Sequence, residues 1–111
     1  MATRYDAVVI GAGPAGEGAA MKLVKEGRRV AVIDQLGEVG GNCAHVGTIP
    51  SKALRQTVYN LMRFRRDPLL SRMADIRSVP LSQVLARAHK VIETQVSTHH
   101  RFFERNDVDL Y

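Results

Sequence analysis

Apolar and polar positions follow two different rhythms along this 111-residue chain. Near its start, Tyr5-Asp6-Ala7-Val8-Val9-Ile10 is a short β-branched run that stops at glycine, the pattern of a strand buried on both faces. Gly11-Ala12-Gly13-Pro14-Ala15-Gly16 breaks it. From Pro14 to Glu26 the small and apolar residues Ala15, Ala19, Ala20, Leu23 and Val24 recur at helical spacing. Pro14 suits a first helical turn, and Gly27 suits the position after a last one. Val30-Ala31-Val32-Ile33 then reads as a second buried strand, ending at Asp34. Strand, helix and strand in this order predict parallel neighbours joined by a right-handed crossover.

Gln35 to Thr48 is rich in glycine and has no sustained period, which predicts a long loop of the kind that carries function. A helix is expected to open at Pro50-Ser51, with Leu54, Val58, Leu61 and Met62 on one stripe, and to end at Asp67-Pro68. After a connector from Leu69 to Val79, a longer helix is expected from Leu81 or Ser82 to about Arg105. Leu85, Ala88, Ile92, Val96 and Phe103 fall roughly along one of its faces. Asn106-Asp107 breaks it, and Val108-Asp109-Leu110-Tyr111 reads as the first residues of a third strand. The expected fold class is α/β with a parallel sheet. A strand with no turn after it reads as the edge of a truncated sequence.

Composition narrows the function classes. With 45% apolar and 24% charged residues the chain can build a modest core, so composition argues against intrinsic disorder. No apolar run approaches the roughly 20 residues that cross a bilayer, and Arg4 and Asp6 interrupt any leader-like stretch. Cys43 is the single cysteine, so no intrachain disulfide forms; a cytoplasmic location is expected. The net charge of +5 arises from residues 51–111, eleven basic against six acidic, and reads as solvated helix faces rather than as a nucleic-acid patch.

The glycine turn carries the first chemical signal. G-x-G-x-x-G gains specificity from its context, directly after a strand, opening a helix, with Asp34 following 23 positions after Gly11. Gly11 permits the tight turn, Gly13 lets backbone approach a pyrophosphate, and Gly16 lets helix and strand pack closely; Pro14 and Ala15, between them, are counted with the candidate cofactor-binding positions, Ala15 as filler. The helix N-terminus presents free N–H groups and a positive dipole end to phosphate. Asp34 is expected to accept hydrogen bonds from an adenosine ribose and to repel a 2′-phosphate, which points to FAD or NAD rather than NADP.

The second signal is the stretch Gly40-Gly41-Asn42-Cys43-Ala44-His45-Val46-Gly47-Thr48-Ile49-Pro50-Ser51-Lys52. It resembles the flavin disulfide reductases, whose Gly-Gly-x-Cys-x-x-x-x-Cys-x-Pro-x-Lys motif sets two redox cysteines under an isoalloxazine ring. The resemblance runs from Tyr5 to the end of the chain and is weakest between Leu69 and Ser78. It implies a Rossmann-like FAD-binding domain of which residues 1–111 are the N-terminal part. The NAD(P)-binding and C-terminal dimerisation domains would lie outside this sequence, and the full-length protein would be a homo-oligomer.

Thr48 stands where the motif has its second cysteine, and a hydroxyl cannot take part in thiol–disulfide exchange. Within the family, this substitution together with the Gly13 to Met21 stretch is similar to members that pass hydride between NADPH and NAD⁺ through the flavin. The resemblance makes Lys52 and Thr48 the candidate catalytic positions, Lys52 lying near flavin N5. It also assigns Asp34, Gln35, Gly40, Gly41, Asn42, Cys43 and Ala44 to a wrap around the adenosine and pyrophosphate. Cys43 is read as a small half-buried remnant of a dithiol pair, and His45 as a hydrogen-bonding loop residue. His89, His99 and His100 show no metal-ligand spacing, and no metal is expected. Tyr59, Phe64, Phe102 and Phe103 read as core or interface. Two alternatives stay open: a disulfide reductase of the dihydrolipoamide dehydrogenase type with an altered cysteine pair, and a non-catalytic basic module.

Overall fold

The structure, a computed structural model, describes residues 3–73 and 78–111. In chain order they form β1 (Ala7–Ile10), α1 (Pro14–Lys25), β2 (Val30–Ile33), α2 (Gly41–His45), α3 (Thr48–Arg66), α4 (Leu70–Met73), α5 (Leu81–Arg105) and β3 (Asp109–Leu110). The three strands make one parallel sheet with β2 in the middle, in the order β1, β2, β3. Ala7 pairs with Val30 and Ile10 with Ile33, while Ala31 pairs with Asp109. The ladder to β3 extends past its last residue, because the Tyr111 N–H donates to the Val32 carbonyl (2.9 Å) and the Asp34 N–H to the Tyr111 carbonyl (2.8 Å). The α/β class and the Rossmann-like order of the first two strands are as the sequence implies.

α1 and the C-terminal half of α5 lie on the same core as the sheet. Ala20 and Met21 of α1, Val30 and Val32 of β2, and Phe103 of α5 form one buried cluster, joined by Val39 and Val108. Phe103 is its largest member and is 2% exposed; burial of such a ring contributes about 1.5–3 kcal/mol.

β1 departs from expectation. Its burial alternates, with Val8 54% and Ile10 88% exposed, and Ile33 opposite Ile10 is also open. The expected two-sided burial holds only for central β2, at Val30, Ala31 and Val32; β1 is covered on the face that carries Val9 and bare on the other. A run of β-branched residues marks a strand, but it does not supply the second covering layer.

The segment expected as one loop from Gln35 to Thr48 contains α2, and α3 opens at Thr48 rather than at Pro50. Five residues are too few for periodicity to show, and proline is tolerated in a first helical turn, so Pro50 follows the helix start instead of marking it. The connector after Leu69 holds the single turn α4; its residues 74–77 lie outside those described.

α3 and α5 pack against each other and draw the molecule out to 65 × 24 × 19 Å. The helix stripes shift relative to expectation. On α3 the buried position is Thr57, whose hydroxyl donates back to the Ala53 carbonyl (2.9 Å), whereas Val58 and Met62 are exposed. On α5, Val84 is buried in place of Leu85, with Ala88 and Phe103 as expected. Two helices packed as a pair cover only a narrow seam of each other, so apolar residues a quarter-turn off that seam stay wet. Tyr59 is likewise 54% exposed, with the Arg63 guanidinium 5.9 Å from its ring centroid, and is no core residue.

Candidate functional site

Local geometry explains two of the three turn glycines from within the chain. Gly11 adopts φ +100°, where a Cβ is strained, and its N–H donates to the Ile33 carbonyl (2.7 Å). A Cβ on Gly16 would collide with the Gly11 carbonyl oxygen and sit 3.3 Å from Val9 Cγ1, so glycine there lets α1 lie against β1. Gly13 differs: its backbone is extended, and an added Cβ would meet only ordinary contact, 3.8 Å from Gly41 Cα. No side chain caps α1 at Gly13, so the first-turn N–H groups have no side-chain acceptor there.

Asp34 is built into this turn. Its Oδ2 accepts the Ala12 N–H (2.9 Å) and its Oδ1 accepts the Leu36 N–H (3.0 Å), which fastens the end of β2 to the turn after β1. These bonds, the one from Ala12 foremost, hold its carboxyl below the usual carboxylate range, with His45 adding to the effect. Asp34 is therefore an anion at neutral pH, with lone pairs left for further donors.

The glycine pair at the start of α2 closes onto the same turn. Gly40 has φ +105°, and its N–H donates to the Ala12 carbonyl (2.7 Å). A Cβ on Gly41 would come within 2.9 Å of Gly13 Cα. His45, at the end of α2, bonds through Nε2 to the Val39 carbonyl (2.9 Å) and stands 3.7 Å from Glu38, so it pins the loop that leads into the glycine pair. His45 is thus a hydrogen-bonding residue.

Beside the turn lies a cavity of about 310 Å³. Pro14 and Gly18 of α1, Gly40, Cys43 and Ala44 around α2, and Ile49 of α3 form much of its wall. Sequence reasoning missed two further wall residues, Glu17 and His99, whose side chains meet at 2.5 Å. They are 82 positions apart and His99 belongs to no motif, so nothing in the linear pattern pairs them.

Thr48 and Lys52 lie elsewhere on α3. Thr48 is exposed at the helix start, and its carbonyl accepts the Ser51 hydroxyl (3.1 Å). Lys52 opens with Gln56, Arg87 and Gln95 onto a groove of about 560 Å³ between α3 and α5. Ile49 lines both this groove and the Cys43 cavity, so the two openings share a wall. Gln35 and Asn42 are exposed near the turn. Among the described residues, no three metal-ligating side chains come together, and no helix is long and apolar enough to cross a membrane.

This arrangement is matched by known proteins. A profile described as pyridine nucleotide-disulphide oxidoreductase covers residues 5–108. The chain belongs to that family. Family relatives include the soluble pyridine nucleotide transhydrogenase of Azotobacter vinelandii, 50% identical over 107 residues, and that of Hahella chejuensis, 52% identical over 108 residues. These matches cover 96% and 97% of this chain, which spans 23% of either relative. Among solved structures, the HOCl-induced flavoprotein disulfide reductase RclA from Escherichia coli, as its Cu(II) complex, superposes with a TM-score of 0.72. It is 26% identical, with 97% of this chain and 21% of that one covered. Membership in this family, with flavoprotein neighbours, supports FAD as the cofactor. The residues fit that group: an ionised acid ends β2, a helix N-terminus lacks a side-chain cap, and a glycine stands at position 13 that no contact inside the described chain requires.

Proposed function

We propose that this chain is the flavin-binding N-terminal part of an FAD-dependent oxidoreductase that transfers hydride between NADPH and NAD⁺ without a redox disulfide. The observation that carries the reading is Thr48, at the head of α3, in the place of the family motif's second cysteine. Cys43 has no partner cysteine in this sequence with which to form a disulfide. The names of the relatives at 50–52% identity support the same activity.

FAD, when bound, supplies a ring that accepts a hydride from one nicotinamide and returns it to another. The residues of this chain bind and orient. The first-turn N–H groups of α1 and the backbone at Gly13 receive the pyrophosphate, and Gly40 and Gly41 hold the opposite side of that approach. Asp34 accepts the adenosine ribose hydroxyls, its charge excluding a 2′-phosphate. Gln35, Asn42, Cys43 and Ala44 complete the wrap. Lys52 presents its ammonium to the reacting ring, where positive charge favours the electron-rich reduced form. Thr48 fills the space of a sulfur and does no covalent work.

The full-length protein acts as a homo-oligomer in the cytoplasm on soluble nicotinamide dinucleotides. The test is NADPH oxidation by full-length holoprotein, coupled to reduction of a thio-analogue of NAD⁺. Coupled turnover with no reduction of lipoamide or glutathione is expected. Brisk reduction of a disulfide substrate would instead establish the disulfide-reductase reading.

A further inference from the structure

Glu17 is an awkward residue for an anion site. It lies in the first turn of α1, the helix whose N-terminus is assigned above to a pyrophosphate, and it lines the cavity beside the turn together with Pro14 and Gly40. A carboxylate there suits the helix dipole, but it opposes a second anion in the same corner. The Glu17 side chain is only 20% exposed, so solvent screens it incompletely.

His99 answers that charge. It reaches from α5 so that its Nδ1 lies 2.5 Å from Glu17 Oε2, across 82 residues of sequence, with its own side chain 32% exposed. Among the described residues that line this cavity, Glu17, His99 and Cys43 are the titratable ones. Nothing about core packing calls for the pair. Met21 of α1 and Phe103 of α5 already belong to one buried cluster, whereas Glu17 and His99 line the cavity.

We infer that His99 is a positioning residue: it binds the Glu17 carboxylate to α5 and turns that charge away from the phosphates of the dinucleotide on the α1 N-terminus. The pair thereby lets an acidic residue occupy the phosphate-binding turn without cost to cofactor affinity. This rests on the dinucleotide reading of the glycine turn.

The test uses the intact protein, stripped of flavin and titrated with FAD by flavin fluorescence. Four variants are compared with wild type: H99A, H99F, E17Q and the double variant E17Q/H99A. H99F keeps the bulk of the ring without a donor and guards against loss of fold in H99A. Removing the imidazole is expected to weaken FAD binding about tenfold, by freeing the Glu17 charge. E17Q is expected to bind within about twofold of wild type, and E17Q/H99A to recover to the E17Q level, because no charge remains to be restrained. That recovery is the decisive readout, since a merely structural tie between α1 and α5 stays broken in the double variant. Wild-type affinity in H99A and H99F, or a double variant as weak as H99A, overturns the inference. Failure of wild type itself to bind FAD overturns the dinucleotide reading, and is visible before any variant is compared.

Discussion

Asp34 Oδ2 accepts the Ala12 N–H at 2.9 Å, so the acid that ends β2 also holds the glycine turn that follows β1. One side chain thus serves two adjacent strands. Replacing it with asparagine keeps an acceptor for only one of the two backbone donors, Ala12 or Leu36, and removes the charge. Asp34→Asn is expected to lower the urea midpoint at neutral pH and to weaken FAD binding. Because the folded state holds this carboxyl below its usual range, the stabilisation it brings is present above that range and is lost as pH falls through the folded value. Urea midpoints measured as a function of acid pH should therefore fall more steeply in wild type than in Asp34→Asn.

Gly16 and Gly13 should separate packing from binding. Gly16→Ala drives a methyl into the Gly11 carbonyl, a backbone atom that cannot swing aside, and is expected to cost about 1–3 kcal/mol or more of stability without any ligand. Gly13→Ala meets open contact at 3.8 Å and should change apo stability by no more than about 0.5 kcal/mol. On the proposed reading its FAD affinity should nevertheless fall at least about tenfold, since the new methyl would stand where a pyrophosphate approaches. Thermal unfolding with and without FAD checks both.

At the opposite end of the sheet, the Tyr5 hydroxyl donates to Asp109 Oδ2 (2.6 Å) and lies 2.6 Å from the Tyr111 hydroxyl, joining the approach to β1 with β3. The bond to Asp109, then that with Tyr111, pushes the Tyr5 phenol above its usual range. Stabilisation from a raised group is full below its ordinary value and is lost as pH rises toward the folded one. Denaturation midpoints measured from about pH 10 upward should fall more steeply in wild type than in Tyr5→Phe.

Phe103 should dominate the core. Its ring is 2% exposed among Met21, Val30 and Val32. Phe103→Ala is expected to cost about 3–5 kcal/mol, read from urea denaturation, and to leave the chain largely unfolded if its reserve is small.

The sequence carried the first half of the site because its parts are local. Gly11, Gly16 and Asp34 belong to one strand, turn, helix and strand unit, and each has a backbone reason visible at short range, whereas Gly13 has none among the described residues. The extent of α5 was legible for a similar reason, since its apolar spacing is local and Asn106-Asp107 breaks it. α2 was not legible, because one helical turn shows no period; nor was the Gly41 contact with Gly13, which depends on how a loop folds back. Burial was misjudged at Val8 and Ile10 of β1 and at Val58, Met62 and Leu85, where apolar character was read as burial although these side chains stay exposed. The Glu17 and His99 pair lay furthest from reach, since only the tertiary fold brings a histidine of α5 to the first turn of α1.

Val8, Ile10 and Ile33 give one side of the sheet an oily flank, in a chain whose later helices carry most of its positive charge. Such a molecule is an amphiphile. Handled as a free 111-residue polypeptide, it should adsorb at air–water surfaces, brighten environment-sensitive dyes and salt out early in ammonium sulfate. Placing one lysine at Ile10, 88% exposed on that flank, should suppress all three behaviours together.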